Sequence, residues 1–498
     1  MNPNATDIAY RRFVDHSLDQ LLTAMPAEQG LVELLSHAVE DVPAYAEFLR
    51  QQGFEGTIQG PADIGRLPLT NKDNYMRRYP LPQRCRGGRL DHCEMIAVSS
   101  GSTGQPMFWP RNLVDELEIA VRFEQVFRDS FNAHQHSTLV IVCFALGNWV
   151  GGIYTANCCR LLAQKGYAIT LATPGSNIDE IFRVIGELAG NFDQTVLAGY
   201  PPFIKGVLDR GRAEHIDWTA YNLRFIFAGE VFSEEWRSLL MDYCGSHQPC
   251  HDSASLYGTA DAGVLANETP LSLHIRRFFS RQPEAARAVF GESRLPALMQ
   301  YDPASRFFET HDGTLVVSGN NGVPLLRYHI ADKGGILSYD DMLALVRQHG
   351  GDPCSGLQQT TLRRLPFVYL FGRADFTVSY YGANIYPENI SVAIEQAPLS
   401  HWLSGKFVLE VKTDERLNHY LSLAVELLPD TAASDVDPAC IASAVVNQLR
   451  RLNSEFRAYV PPDQQRIAVA LYPHGDPEYF PAGVKHRYTR RRQTGGSS

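Results

Sequence analysis

The sequence predicts an α/β protein: a large N-terminal α/β body with parallel sheets, followed by a small C-terminal α+β domain of the ferredoxin-like type. From residue 94 to about residue 243, strand-like apolar runs alternate with helical stretches, which is the order that crossover connections between parallel strands require. From residue 376 to residue 471 the order becomes strand, helix, strand, strand, helix, strand. We therefore divide the chain into a body over residues 1–372 and a C-terminal domain over residues 373–498.

The elements of the body follow from the spacing of its apolar residues. Residues 8–75 have a helical period with short polar breaks. Residues 341–366 are less regular and rich in glycine, and we interpret them as an insertion before the domain boundary. In the alternating region, the predicted strands are 94–98, 138–144, 168–172, 195–198 and 225–228, and the predicted helices are 113–131, 153–165, 178–188, 203–210 and 233–243.

The C-terminal domain has its own set of elements. Pro387 stands at the first position of a predicted helix, where a missing backbone N–H costs nothing. A basic tail over residues 485–492 and a Gly- and Ser-rich end follow the last strand, and we expect both to fray. The predicted strands are 376–380, 406–411, 420–427 and 466–471, and the predicted helices are 387–397 and 438–456.

Composition restricts the classes of function. The 498 residues include 45 Lys and Arg against 55 Asp and Glu, a net charge of −10, which argues against a general nucleic-acid-binding protein. The longest apolar run, residues 139–146, is far shorter than the roughly 20 residues that span a bilayer, and residues 1–30 lack the apolar segment of a secretory signal. The cysteines lack the spacing of a disulfide framework, which fits a reducing compartment. We expect a cytoplasmic enzyme with neither a membrane nor a nucleic-acid partner.

The strongest local signal is a glycine-rich loop, SSGSTGQP at residues 99–106, which follows a predicted strand and precedes a predicted helix. Glycines let the backbone turn tightly, so that successive N–H groups can point at one anion, and the hydroxyl groups add donors. The loop lacks the Gly-Lys-Ser/Thr of a Walker A motif and is not a dinucleotide fingerprint. It predicts a cradle for a triphosphate, and a flexible Ser/Gly turn is the alternative.

Further short motifs follow the loop in order along the chain. They are Gly229-Glu230, Tyr257-Gly258-Thr259-Ala260-Asp261, the segment RYHIAD at residues 327–332, Gly372-Arg373-Ala374-Asp375, and Pro481, Gly483, Lys485 and Arg487. This ordered set resembles the acyl-adenylate-forming (ANL) superfamily, which holds acyl-CoA ligases, adenylation domains and luciferases. The chain is most similar to the phenylacetate–CoA ligase-like branch, and the resemblance covers essentially the whole sequence.

The resemblance implies an adenylate-forming acid ligase with a mobile C-terminal lid. A small carboxylic acid reacts with ATP to give an acyl-AMP and pyrophosphate, and the thiol of coenzyme A then displaces AMP. ATP, Mg²⁺ and coenzyme A are the implied cofactors, and a homodimer is a further expectation. Two alternatives stay open. One is transfer to an amine or a carrier-protein thiol, since residues 341–366 and 485–492 could rebuild the acceptor tunnel. The other is a nucleotide-binding protein without activity.

The resemblance also assigns residues to the nucleotide. Tyr257 would stack its ring on adenine, and Asp332 would accept hydrogen bonds from both ribose hydroxyls. A turn residue before Gly334 is the alternative for Asp332. The full set on the phosphates, adenine and ribose is Ser99, Ser102, Gly104, Gly229, Glu230, Tyr257, Gly258, Thr259, Asp332 and Arg373.

Catalytic roles fall to Thr103, Asp261 and Lys485 under the same resemblance. Asp261 would coordinate Mg²⁺ where the family usually has glutamate, and an acid at a helix N-terminus is its alternative. Lys485 would stabilise the negative charge that builds between the attacking carboxylate and the α-phosphate. The local sequence is PAGVKHR rather than the common Gly-Lys, so a solvated basic tail is the alternative for Lys485. Asp375 would be the hinge of the lid.

The resemblance places the acid pocket beside the glycine-rich loop. An aromatic wall, with a glycine that makes room, suits an aromatic or aryl-alkanoic acid. Ordinary core packing of the same aromatic rings is the alternative. The pocket residues are Phe144, Trp149, Gly151, Tyr200 and Phe203.

A cluster of cysteine and histidine residues is a weaker signal. Both residue types are zinc ligands, but the spacing here is tighter than in usual zinc sites, which leaves a metal open. The cluster consists of Cys244, His247, Cys250 and His251.

Overall fold

The computed structural model describes most of the chain. The described residues are 3–22, 27–54, 57–98, 107–148, 150–292, 294–373, 378–381, 383–413, 419–453, 456–457, 460–481, 486 and 488–489.

Helices open the chain, as the sequence predicts. Pro43 and Pro61 begin the fourth and fifth of them, at the position where proline is tolerated. The bounds are α1 (Pro3–Asp15), α2 (Leu18–Leu22), α3 (Ala27–Asp41), α4 (Pro43–Gln51) and α5 (Pro61–Ile64).

Alternating strands and helices then build the parallel half of a large sheet. Every residue of the strand Thr138–Val142, which lies between two parallel neighbours, is buried, because helices cover both faces of a parallel sheet. The elements are β1 (Met95–Val98), β2 (Phe108–Arg111), α6 (Leu113–Gln125), β3 (Thr138–Val142), α7 (Val150–Gln164), β4 (Ile169–Ala172), α8 (Ile178–Leu188), β5 (Gln194–Gly199), α9 (Pro201–Ala213), β6 (Leu223–Ala228), α10 (Glu234–Tyr243), α11 (Pro249–Asp252) and β7 (Ser253–Thr259). Strands β4, β3, β5, β6 and β7 lie side by side in this order and are all parallel, which confirms the prediction.

An antiparallel half, which the sequence analysis did not predict, continues the same sheet. Its order is β7-β8-β9-β13-β12-β11-β10, and β8 meets β9 through the single pair Asn267–Gln300. The elements are β8 (Gly263–Asn267), α12 (Pro270–Ser280), α13 (Pro283–Phe290), β9 (Ala297–Gln300), β10 (Arg306–His311), β11 (Thr314–Gly319), β12 (Leu325–Leu337), α14 (Tyr339–Gln348) and β13 (Phe367–Arg373).

Helix α14 corrects the interpretation of residues 341–366 as an irregular insertion. The Ser338 hydroxyl caps this helix by accepting from the Asp341 N–H at 3.1 Å, and Asp340 and Asp341 place negative charge in its first turn. The capping residue, Ser338, precedes the range 341–366 that was interpreted as irregular. The irregular part therefore begins only after the helix ends at Gln348.

The C-terminal elements follow the predicted order with one additional strand, which lies before the first helix. They are β14 (Val378–Tyr380), β15 (Ala383–Ile385), α15 (Pro387–Ile394), β16 (Leu403–Thr413), β17 (His419–Leu427), α16 (Pro438–Leu452) and β18 (Ile467–Tyr472). The sheet order is β16-β17-β18, and α16 connects the parallel strands β17 and β18. Strand β14 pairs with β15 in a separate hairpin and does not join this sheet.

Residues 378–489, which we call the C-terminal unit, have a hydrophobic core of their own. Phe407, Leu423, Ile441 and Phe456 are fully buried in it. The unit contacts the body where β16 packs on α9 and α15 packs on α10. The exact domain boundary between residues 372 and 373 stays a prediction.

All nine cysteines lie in described segments and are free thiols. None of the helices in those segments is both long and apolar enough to cross a membrane.

We predict that the two cores can be destabilised separately. Leu423→Ala empties a fully buried position in the C-terminal unit, and Leu197→Ala is the matched change in the body. Each should lower the free energy of unfolding of its own unit by about 2–5 kcal/mol. Hydrogen exchange read by mass spectrometry during urea unfolding reports the two units separately. A single common transition, shifted equally by both variants, would contradict independent units.

Candidate active site

Several predicted site residues lie outside the described part of the chain, and their roles stay predictions. They are Ser99, Ser102, Thr103, Gly104, Trp149, Asp375 and Lys485.

The glycine-rich loop is flanked by two strands that pair with each other. Val98 of β1 lies opposite Phe108 of β2 in an antiparallel ladder, so the predicted direct passage from the loop into a helix is wrong. The Val98 N–H also donates to the Asn148 carbonyl oxygen at 2.9 Å. The strand that precedes the loop is therefore attached to the segment that follows the predicted acid-pocket residue Phe144.

Tyr257 and Asp332 meet although they stand 75 residues apart in the sequence. The Tyr257 hydroxyl donates to Asp332 Oδ2 at 2.7 Å, and both side chains are buried. Asp332 lies within β12, so its alternative interpretation as a turn residue is wrong. Ala331 has a left-handed φ of 64°, a strained conformation for a residue with a side chain, immediately before Asp332.

Asp261 forms a reciprocal pair, which joins the turn after β7 to β12. It lies in the turn between β7 and β8, so its interpretation as an acid at a helix N-terminus is wrong. The Tyr328 hydroxyl donates to its Oδ2 atom at 2.6 Å, and the Lys72 ammonium lies 3.2 Å from the same oxygen. The Asp261 side chain is 5% exposed, and a buried carboxylate needs such partners.

A buried ionic network lies beneath the Asp261 turn. Arg111 donates to the Ala260 carbonyl oxygen at 2.6 Å and to Asp115 at 3.0 Å, and Asn321 donates to the Ala262 carbonyl oxygen at 3.0 Å. Arg306 forms a second ion pair with Asp115 at 3.1 Å. The backbone on both sides of Asp261 is thus held by side chains from other elements, which directs the carboxylate.

Sequence reasoning missed Lys72, Arg111 and Tyr328. Tyr328 stood inside a quoted motif without an assigned role, while Lys72 and Arg111 stand in no motif. Their partners lie far away along the chain, so no local pattern could have identified them.

Glu230 and Tyr200 are also brought together. The Tyr200 hydroxyl donates to Glu230, and burial raises the pKa of Tyr200, so it stays a protonated donor. Gly229 has a left-handed φ of 96°, and a Cβ atom here would lie 3.4 Å from the Tyr200 ring. The backbone angle therefore favours glycine at this position, and the Tyr200 ring lies directly beside it.

Of the other described pocket residues, Phe144 and Gly151 lie next to each other, and Phe203 lies elsewhere. A Cβ atom on Gly151 would lie 3.5 Å from the Phe144 ring, so these two residues are in contact. Phe203 instead packs on the core cluster formed by α8, α9 and β6.

Gly258 lies where a Cβ atom would approach the Gly263 carbonyl oxygen to 2.8 Å, and Thr259 accepts from the Ala262 N–H. Arg373 pairs through its backbone with Asp332 at the end of β13.

The cysteine and histidine cluster forms no metal site in this structure. Across the described segments, no group of three His, Cys, Asp or Glu side chains is arranged to hold a metal ion. The cluster residues Cys244, His247, Cys250 and His251 all lie within these segments. Burial raises the pKa of the Cys244 thiol to about 12.

Ionisable groups join the C-terminal unit to the body. The Ser233 hydroxyl of the body donates to Glu395 of α15 at 2.7 Å. Arg294 of the body lies 3.4 Å from Glu388, and its guanidinium stacks 4.0 Å from the centre of the Tyr386 ring. A cavity lies between the two units, lined by Lys205, Glu230, Phe232, Trp236, Glu395 and Tyr488 among others.

The comparisons with known proteins give structural similarity only. No protein-family model matches the sequence, and no curated protein matches it. A 2-hydroxyisobutyryl-CoA ligase in the postadenylation state, bound to R3-HIB-AMP, superposes with a TM-score of 0.62 at 15% identity, over 97% of this chain and 90% of that chain. The open conformation of that ligase with 2-HIB-AMP and CoA has a TM-score of 0.51 at 15% identity, over 94% and 93%. Its thioesterification state has a TM-score of 0.51 at 16% identity, over 96% and 91%.

We predict that docking of the C-terminal unit depends on pH through Glu395. Burial raises the pKa of this carboxyl from 4.5 to about 8, with Glu235 adding to the shift and Ser233 and Lys205 opposing it. The docked arrangement therefore holds an extra proton between about pH 4.5 and about pH 8, and docking weakens as the pH rises through this window.

Small-angle scattering at pH 6 and pH 9 measures the effect. The wild type should expand at the higher pH, and Glu395→Gln should not. Glu187→Gln, on the surface of α8, is the control that should behave as wild type. Equal expansion of the Glu395→Gln variant would contradict the assignment.

Proposed function

We propose that this chain, which has the fold of the acyl-adenylate and CoA ligases, couples a small carboxylic acid to ATP and transfers the acyl group to coenzyme A. One observation carries the proposal: the reciprocal tyrosine–carboxylate pairs that hold Asp332 and Asp261 between β7 and β12. These are the residues that the ordered motifs assign to the ribose and to Mg²⁺. The fold supports the same reaction class, because it extends over 97% of the chain.

In the proposed first step, an oxygen of the acid attacks the α-phosphorus of ATP and pyrophosphate leaves. Asp332 accepts hydrogen bonds from the ribose hydroxyls, and the Tyr257 hydroxyl keeps its carboxylate from rotating. Gly229, Glu230, Gly258 and Thr259 line the nucleotide. Positioning of this kind, together with charge neutralisation, is the main requirement of phosphoryl chemistry.

Charge at the phosphates is balanced by the groups around Asp261. A single buried carboxylate fits Mg²⁺, which binds proteins through one or two acids together with substrate phosphates. The ion, when bound, neutralises negative charge on the leaving pyrophosphate. Lys72 adds a positive charge next to Asp261. Ser99, Ser102, Thr103 and Gly104 are the proposed phosphate contacts, with Arg373 on the ribose or phosphate and Lys485 on the attacking carboxylate.

In the proposed second step, the thiol sulfur of coenzyme A attacks the acyl carbonyl carbon and AMP leaves. Residues 373–498 are the proposed mobile lid, with its hinge at Asp375. The proposed acid is aromatic or aryl-alkanoic, as in the phenylacetate–CoA ligase-like branch. The aromatic side chains of Phe144 and Tyr200, each packed against a glycine, support this class. A homodimer and a cytoplasmic location stay predictions.

Acid-dependent exchange of pyrophosphate into ATP tests the first step without an acceptor. The panel contains benzoic, arylacetic, short aliphatic and 2-hydroxy acids. Exchange that depends on aryl acids supports the proposal, while exchange with another class contradicts only the substrate assignment. Silence over the panel, with ATP binding intact, would contradict adenylation. Parallel reactions with coenzyme A, an amine and a carrier protein then identify the acceptor.

We predict that Asp332→Ala raises the KM for ATP about 10- to 100-fold, because hydrogen bonds to a charged group contribute about 1.5–3 kcal/mol each. Asp340→Ala is the matched control, since Asp340 pairs only at the surface with Arg364. Steady-state kinetics with saturating acid measure both variants. An unchanged KM for ATP in Asp332→Ala would remove this residue from the nucleotide site.

A further inference from the structure

The end of the C-terminal unit adds to the edge of its sheet. The His486 ring Nε2 lies 2.7 Å from the Phe407 carbonyl oxygen, and the Leu409 N–H donates to the Tyr488 carbonyl oxygen at 2.8 Å. Thr489 forms a parallel bridge with Leu409. The Tyr488 ring packs 4.8 Å from Phe407 and 4.5 Å from His486, centre to centre. His486, Tyr488 and Thr489 are therefore attached to β16.

The same segment reaches across to the body. Tyr488 and Glu230, the carboxylate that also accepts from Tyr200, line one cavity between the two units, and their side chains are joined by a hydrogen bond. The His486 N–H donates to the Tyr200 oxygen. Burial raises the pKa of Tyr488 well above its ordinary value, so the phenol is a neutral donor at physiological pH.

We propose that Tyr488 is a positioning residue for the adenylation step. Its bond to Glu230 fixes the C-terminal unit in the arrangement that closes the nucleotide site. This inference rests on the proposed function, in which Glu230 lines the nucleotide.

The contact would be specific to one half of the reaction. The bond between Tyr488 and Glu230 depends on a single hydroxyl, and the rotation of the C-terminal unit that the proposed function requires for the second step would separate these two side chains. A merely structural tyrosine would affect both steps alike. The step that depends on Tyr488 is therefore the readout that distinguishes the two roles.

Tyr488→Phe removes the hydroxyl and keeps the ring packing on Phe407. Tyr380→Phe is the matched control, because the Tyr380 hydroxyl is also in the C-terminal unit and donates to the Gln464 carbonyl oxygen, within the same unit. Two rates are measured with the full chain: acid-dependent pyrophosphate exchange, and thioester formation from synthetic acyl-AMP and coenzyme A.

We expect Tyr488→Phe to lose about tenfold or more in exchange, as for a hydrogen bond to a charged group, and to keep its rate of thioester formation. Tyr380→Phe should keep both rates. Equal loss of both rates in Tyr488→Phe, or no loss, overturns the inference alone. If the wild type itself shows no exchange, the proposed function fails and the role of Tyr488 fails with it.

Discussion

The burial of two carboxylates is the constraint on which the rest of the site depends. Asp261 and Asp332 are 4% and 7% exposed, and an ionised carboxylate is costly away from water unless it is paired. Each receives a tyrosine hydroxyl from the opposite strand, so β7 and β12 must keep one relative position for both pairs to form. The antiparallel half of the sheet, which separates these strands, sets that position.

Carboxyl groups that depend on bonding partners also form the contact between the C-terminal unit and the body. Glu388, Glu395 and Glu230 each bond to a group on the other side of the contact. Separating the C-terminal unit from the body would remove these bonding partners. The raised pKa of Glu395 shows that burial outweighs its partners. An interface of ionisable groups can separate in water more readily than an apolar one, which fits the mobility proposed for this unit.

Local patterns in the sequence predicted the parallel half of the sheet well. Strands such as β3 and β5 are short apolar runs separated by amphipathic helices such as α7 and α8. The spacing of apolar residues changes between these strands and helices, and this change is visible in the sequence. From β9 to β12 no helix separates the strands, and their partners are set by tertiary contacts, so the antiparallel half was missed. Helix α14 was missed because its capping residue, Ser338, lies just before the range 341–366 that was interpreted as irregular.

In the candidate site, too, local motifs indicate some residues, and only the tertiary fold reveals the others. Motif order made Asp261, Asp332 and Tyr257 candidate site residues, and the structure pairs Tyr257 with Asp332. The ammonium of Lys72 and the guanidinium of Arg111 reach the Asp261 turn only through the fold. Oxygen transfer tests the central claim most directly, with an acid labelled by ¹⁸O in its carboxylate and the products analysed by mass spectrometry. Attack on the α-phosphorus predicts one ¹⁸O atom in AMP, whereas label in inorganic phosphate with ADP as product would contradict an acyl-AMP.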